Sequence, residues 1–383
     1  IDGIEVMGWE ILVVNRGVQR TWVTSDPGLY DTDADGLSDY EEFASICNQG
    51  SNASNPDTDG DGLGDQTESL SGFTWDGEAY FTSPCMFDTD NDGLEDGEEV
   101  IAGADNFLTH ANNSDTDDDG LIEIQDLQDL NEIRNNTSLI GVPEYAMKEL
   151  RGNSLYGSSN GCPEAGCKGY ELVGDLNFDT NANGLFDAGD EYWNEGKGWD
   201  PIGSFSIKLV SEFNGNGHTL HNLTIRRPGE SFLGLFAYSE LSHIHNFSIT
   251  GELTTGAESG GLVGYSWKTH FEHINLDLII TGENADESCQ AKCVPNYLGG
   301  VVGVADESDF NNIAIKVKVS GADRLGGVVG QAIGDATSFM REIAIQADID
   351  GDDFVGSLAG SINRYDIGSI VSVSSVDGHQ QSS

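Results

Sequence analysis

Four stretches of the chain carry carboxylates at the same positions of a twelve-residue frame, and no other feature restricts its fold as much. Asp31, Asp33, Asp35, Asp39 and Glu42 recur as Asp57, Asp59, Asp61, Asp65 and Glu68. They return as Asp88, Asp90, Asp92, Asp96 and Glu99, and again as Asp115, Asp117, Asp119, Glu123 and Asp126. Each frame has Gly sixth and Leu seventh; Leu37, Leu63, Leu94 and Leu121 each offer a backbone carbonyl. Oxygens alternating around a glycine turn, with a closing carboxylate at the twelfth position, are the arrangement that encloses a calcium ion. The oxygen-only donor set argues against zinc or copper, and its flexible ligands suit calcium better than magnesium. A fifth copy consists of Asp179, Asn181, Asn183, Leu185, Asp187 and Asp190 around Gly184. Two amides replace carboxylates there, so weaker calcium binding is expected.

The first four frames begin 26, 31 and 27 residues apart, which makes them repeats. Their ligand spacing, Asp-Thr-Asp opening and Gly-Leu pair resemble bacterial thrombospondin type 3-like calcium repeats, over roughly residues 29–126. The resemblance implies an extracellular stalk or spacer that winds around calcium ions and has little apolar core. Here the linkers are longer and carry Phe73, Trp75, Tyr80, Phe81 and Phe87, so some packing between loops is expected instead of a simple rod.

Charge points the same way. The chain has 66 acidic and 17 basic residues, a net charge of −49, which excludes a nucleic-acid binder. Residues 1–126 hold 31 acidic and 2 basic residues, a balance that repels itself unless a cation sits inside. No apolar run approaches the ~20 residues of a membrane helix, so no membrane insertion is expected. The chain opens at Ile1 without Met or a signal peptide, and so reads as a processed or truncated product. Six cysteines suggest the pairs Cys47 with Cys85, Cys162 with Cys167 and Cys289 with Cys293, other pairings remaining open. An even count beside calcium loops points outside the cell.

Between the repeats and the second half, residues 127–205 read as a connector. A helix over Ile122–Asn135 places Ile122, Leu127, Leu130 and Ile133 on one face, with Asp126 in its first turn. Tyr170–Leu172 and Leu176–Phe178 read as strands leading into the fifth loop. The aromatic run Tyr192–Gly203 is expected to seal the next domain, the alternative being a platform for carbohydrate.

From residue 206 short apolar alternations are punctuated by glycine. Leu233–Ala237 recurs as Gly260–Gly264, Gly299–Gly303, Gly326–Gly330 and Gly356–Gly360, and the one long spacing holds the Cys289/Cys293 insertion. A second alternating strand follows each copy: Ile244–Ile249, Ile274–Ile280, Ile313–Val319, Ile343–Ile349 and Ile370–Val376. Two strands per turn, stacked five times with glycine at positive-φ corners, describe a β-solenoid over residues 206–383. The Gly-Gly-Leu-Val-Gly units, and the preceding Phe213–Leu223 stretch, resemble the GLUG repeats of large bacterial surface adhesins. With the calcium repeats this resemblance covers about residues 29–378, and it implies architecture without naming a ligand. The fold class is therefore mainly β: a calcium-loop repeat region, a short helical connector and a β-solenoid (β-helix).

An enzyme is not expected, the lesser alternative being a polysaccharide-active β-helix enzyme, because the inward positions are aliphatic and no nucleophile or phosphate-loop motif occurs. His243 and His245 face one side of a strand, but with no third ligand in view they read as surface histidines. Two functions remain. The solenoid has no obvious cap after Val376, and the apolar run Ile4–Val14, within the separate segment 1–28, has no assigned partner. Donating that strand to a neighbour would join copies of the chain head to tail. The alternative is a monomeric adhesin module that binds a surface glycan or protein.

Overall fold

The computed structural model describes residues 2–15, 18–44, 47, 50–90, 94–101, 108–113, 115–116, 120–135, 168–282, 297–321, 323–351 and 354–378. They form two compact units that divide between Glu123 and Ile124.

The first unit combines the acidic loops with a hairpin. A short helix, Asp2–Met7, precedes strand Trp9–Val14, which pairs antiparallel with Val18–Val23. Trp9, Ile11, Val13 and Val23 alternate inward and bury themselves with Ala53 against Phe43. The sequence left this apolar run without a partner; in the structure it has partners on both edges. Val18–Val23 takes one edge, and on the other Val14 N donates to Cys85 O at 2.8 Å while Phe87 N donates to Val14 O at 3.0 Å. Cys47 and Cys85 are joined by a disulfide. The other four cysteines lie outside the described residues.

Segment 1–28 thus belongs to the unit that carries the loops. Removing residues 1–24 strips out Trp9, Ile11, Val13 and Val23, so the unit is expected to lose its folded core altogether. Near-ultraviolet circular dichroism of the truncated chain in millimolar calcium checks this. A native-like spectrum would mean that the loops fold without the hairpin.

The loop linkers pack locally. Phe73–Trp75 and Glu78–Tyr80 form a small antiparallel hairpin, and the Tyr80 ring stacks on His110 with centroids 4.0 Å apart. Leu37, Leu63, Leu94 and Leu121, the seventh loop residues, are all buried.

The second unit is β-helix-like, with every pairing between its coils parallel. Coil 1 contributes Phe236–Glu240 and the long strand His243–Thr255. Coil 2 consists of Ser259–Gly260, Val263–Trp267 and His270–Gly282; coil 3 of Leu298–Gly299, Val302–Asp306 and Asp309–Ser320. Coil 4 has Leu325–Gly326, Val329–Ile333 and Phe339–Gly351; coil 5 has Val355–Gly356, Ala359–Asn363 and Asp366–Gly378. Each of coils 2–5 therefore has three strands where the sequence suggested two, because the first glycine of each motif and the residue before it form a short ladder. Ahead of coil 1, Glu212–Asn214 and Thr219–Arg226 extend the long sheet, followed by Gly169–Leu172 and Leu176–Asn177.

Side chains stack in register through the coils. Phe247, Ile274, Ile313, Ile343 and Ile370 form one inward row. Ile244 instead pairs with Phe271, so the sequence alignment of the first coil was displaced by three residues. The repeated glycines do not sit at positive φ; those corners are held by residues such as Leu241, Lys268, Glu307 and Arg364. The glycines are there for close approach: a Cβ at Gly299 would lie 2.1 Å from Val302 O, and one at Gly326 would lie 2.0 Å from Val329 O.

The connector differs from the expected continuous helix. Ile122 lies in strand Leu121–Ile124, and the helix starts at Leu127. Asp126 is its N-cap, accepting from Gln128 N and Asp129 N, with Asp129 completing a capping box. Leu127, Leu130 and Ile133 are buried as expected. Trp199 and Ile202 of the aromatic run are buried too, while Tyr192 and Trp193 are half-buried. Among the described residues no helix is long and apolar enough to cross a membrane.

Candidate metal centres

The first loop is turned by its own carboxylates. Asp31 accepts from Ala34 N at 2.7 Å and Gly36 N at 3.2 Å, Asp33 Oδ1 from Asp35 N at 3.2 Å, and Asp35 Oδ1 from Leu37 N at 2.7 Å. The second loop repeats this, with Asp57 accepting from Gly60 N and Gly62 N, Asp59 from Asp61 N, and Asp61 from Leu63 N. Gly36 and Gly62 sit at φ 105° and 94°, where a side chain would be strained. The turn aims the remaining oxygens inward. One oxygen each from Asp31, Asp33 and Asp35 lie within 4.8 Å of one another, as do those of Asp57, Asp59 and Asp61.

The closing glutamates are held from outside the loop. Ser51 Oγ donates to Glu42 Oε1 at 3.1 Å, Thr82 Oγ1 to Glu68 Oε1 at 3.0 Å, and Thr109 Oγ1 to Glu99 Oε1 at 2.9 Å. Glu42 and Glu68 are wholly buried. Their Oε2 atoms, with Oδ2 of Asp33, Asp35, Asp59 and Asp61, are buried without a hydrogen-bond partner. Buried carboxylate oxygens are costly unless paired or bound to a metal. An oxygen-coordinated divalent cation fits both sites.

The ninth position does something the spacing did not reveal. Thr32 donates its N–H and hydroxyl to the two oxygens of Asp39 at 2.7 and 2.8 Å, so this carboxylate braces its own loop. Thr58 does the same to Asp65 and Thr89 to Asp96, and Thr116 N donates to Glu123. Asp96 also reaches the preceding loop, where its carboxylate lies within 4.8 Å of those of Asp61 and Glu68. Gly97 allows the approach, since a Cβ there would lie 2.0 Å from Asp61 O. Carboxylates of successive loops thereby converge on one place.

Crowding shows in the acidities. Burial, and then the charge of Asp33, push the Glu42 carboxyl up to about 9; burial, then Asp59 and Asp61, push Glu68 up to about 10. Burial likewise raises Asp59 to about 8, Asp61 to about 7, Asp65 to about 6 and Asp96 to about 8.

The other loops are placed as follows. In the third, Asp90, Asp96 and Glu99 are buried and Asp88 half-buried, while Asp92 lies outside the described residues. In the fourth, Asp115 and Glu123 are buried, Asp126 caps the helix, and Asp117 and Asp119 lie outside the described residues. The fifth loop is built differently. The Asn181 and Asn183 amides donate to Asp187 at 3.3 and 2.9 Å, Asp179 accepts from Asn183 N and Gly184 N, and Asp190 accepts from Asp187 N. Hydrogen bonds from Gly189 N and the Asn183 amide hold the Asp187 carboxyl below its ordinary carboxylate range, the reverse of the buried loops. Leu185 is 65% exposed where the corresponding leucines are buried.

The sequence missed an aromatic groove on the five-residue strands of the second unit. Tyr238 and Tyr265 stack in register with rings 5.9 Å apart, and Phe205 and Phe232 pack on Tyr238. Trp267, Glu258, Asp306 and the Lys208–Glu240 ion pair complete a cleft of about 420 Å³, and Tyr265 Oη donates to Asp306 at 3.1 Å.

Fold and side-chain geometry thus define a mainly β, β-helix-like protein with acidic clusters. No protein-family profile matches the chain. It is similar to halomucin of Haloquadratum walsbyi, 30% identical over 166 residues, which are 42% of this chain and 2% of that protein. Among solved structures it is similar to an IgA1 protease chain at 15% identity and a TM-score of 0.33, covering 55% of this chain and 20% of that one. The chain thus spans a small part of either protein's length.

Proposed function

We propose that the chain is an extracellular, calcium-stabilised structural and adhesive surface protein without catalysis. The observation that carries this reading is the set of buried carboxylate oxygens in the first two loops that no hydrogen bond satisfies. In this reading the loops are thrombospondin type 3-like repeats that fold around calcium, and the coils are a GLUG-type solenoid that presents a surface. The Cys47–Cys85 disulfide supports an oxidising compartment. Donation of the N-terminal strand to a neighbour would break its pairing with Val18–Val23, which favours a module that acts as a monomer. Equilibrium dialysis tests the reading: one calcium ion is expected for each of the first four loops, with a weaker fifth. A chain that binds none overturns it.

The groove around Tyr265 and Trp267 favours a glycan as the adhesive ligand. Ring faces suit the apolar faces of sugars, and flanking carboxylates accept from hydroxyls. Screening a panel of neutral oligosaccharides is expected to yield a ligand that Trp267→Ala weakens at least tenfold, with the melting temperature unchanged. Undiminished binding by this variant would remove the groove from the reading.

A further inference from the structure

Imidazoles and carboxylates form a row across the start of the long strands. Parallel register sets His243 opposite Glu212 on one side and His270 on the other, and sets His245 opposite Glu272. The next coil places Asp309 opposite His270 and Asn311 opposite Glu272. The third ligand absent from the local sequence around His243 thus comes from a strand about one coil away.

One triad of this row is poised for an ion. The ligand atoms of His243, His270 and Glu272 lie within 4.8 Å of one another, and His243 Nε2 and His270 Nε2 are each 3.8 Å from Glu272 Oε2. His243 Nε2 is buried and has no hydrogen-bond partner, although other parts of the ring reach solvent. Asn311 Nδ2 donates to Glu272 Oε1 at 2.7 Å, which turns Oε2 toward the imidazoles. The other ring nitrogen of His270 faces Asp309 Oδ2 at 3.9 Å, the outer carboxylate that metal-bound histidines commonly use. The adjoining Glu212–His245 pair is already closed at 3.0 Å, and the His245 ring stacks on His243 with centroids 4.0 Å apart. That pair forms a wall beside the triad.

Two imidazole nitrogens and one carboxylate oxygen are the donor set of a borderline divalent ion of the zinc class, not of calcium. Ligand bonds of about 2.0–2.2 Å put neighbouring donors roughly 3.3 Å apart in a tetrahedral shell, so each imidazole must move about half an ångström closer to Glu272 Oε2. Side chains at the surface of a sheet can make that adjustment.

We propose that His243, His270 and Glu272 bind a divalent transition-metal ion of the zinc class and so tie coil 1 to coil 2. Asn311 and Asp309 orient the ligands, and a water completes the shell. The site is separate from the oxygen-only loops and does not depend on their occupancy.

The test uses the full chain in millimolar calcium, which saturates any oxygen site, and titrates cobalt(II) and then zinc(II) at pH 7.5. One equivalent of cobalt is expected to give visible d–d absorption that zinc abolishes. Binding should weaken on acidification, because a proton on a ligand nitrogen competes with the metal. His243→Ala and His270→Ala are expected to weaken zinc at least 100-fold, and Glu272→Gln and Asn311→Ala about 10-fold or more. His245→Ala and Glu212→Gln are expected to change affinity less than threefold. Far-ultraviolet circular dichroism shows that each variant keeps its coils. No cobalt spectrum in the wild type, or wild-type affinity in His243→Ala, rejects the site. Losses in His245→Ala or Glu212→Gln equal to those in His270→Ala overturn the assignment of ligands.

Discussion

In excess chelator the first unit is expected to become protease-sensitive across its acidic loops while the coils of the second unit survive. The reason is electrostatic. Carboxylate oxygens within 4.8 Å of one another repel by roughly 3.5 kcal/mol or more per charged pair at an effective dielectric of 20. The apolar cluster around Trp9 is small, and Leu37, Leu63 and Leu94 are buried beside carboxylates, so little else opposes that repulsion. Calcium at 100 times its dissociation constant would contribute about 2.7 kcal/mol per site, and the first four loops together would match the whole stability of an ordinary small domain. Limited proteolysis with and without calcium reads this directly. Equal resistance in both would mean that the loops hold themselves without an ion. Glu68→Gln, which alters a wholly buried closing ligand, should lower resistance more than Asn183→Ala in the exposed fifth loop.

The same loops set a pH dependence of opposite sign with and without calcium. Folded carboxyls at about 6 for Asp65, 7 for Asp61, 8 for Asp59 and Asp96, 9 for Glu42 and 10 for Glu68 all lie above unfolded values of about 4. The cation-free folded unit therefore binds more protons than the unfolded chain. Its stability is fully present below about pH 4 and is lost as pH rises through 6 to 10. In chelator the unit should melt at a higher temperature at pH 5 than at pH 9. Calcium displaces those protons, so its affinity should rise over the same interval.

Much of this was legible in the sequence, and the parts that were not share a cause. The ligand frame can be read locally because residues one, three and five of a tight turn must converge, as the bonds within Asp31–Leu37 show. The reach of Asp96 into the site of Asp61 and Glu68 cannot be read so, since it depends on how one loop packs on the next. Coil repetition was visible from Ile274, Ile313, Ile343 and Ile370, which fall in exact register. Coil 1 has Phe247 at that position, and counting isoleucines misaligned it. Glycine misled for a similar reason: composition shows its presence, but only packing distinguishes a φ requirement from the 2.1 Å approach at Gly299. The partner of Trp9–Val14 was hidden because Val18–Val23, with Arg20 and exposed Trp22, lacks an apolar alternation that identifies it as a strand.

Val329→Asp is expected to unfold the solenoid, whereas Lys318→Asp should leave it nearly unchanged. Val329 is completely buried, and in the five-residue ladder it lies between Val302 of coil 3 and Ala359 of coil 5. Neither neighbour can donate a hydrogen bond from its side chain, and the backbone of this row is already committed to the coils on either side. A carboxylate placed there would be desolvated and unpaired, at a cost of about 4 kcal/mol or more, or would take up a proton to stay inside. Coils contact only their neighbours, so the damage should spread from coil 4 in both directions through the stack. Lys318 points outward from the long strand, 59% exposed, and its 3.7 Å pair with Asp348 is the kind of surface contact worth little. The substitution there sets two carboxylates side by side in solvent, which salt screens. Thermal melts in calcium separate the two cases: loss of the cooperative transition for Val329→Asp, and a shift of at most a few degrees for Lys318→Asp. Comparable shifts at both positions would mean that the inward row does not carry the coil's stability.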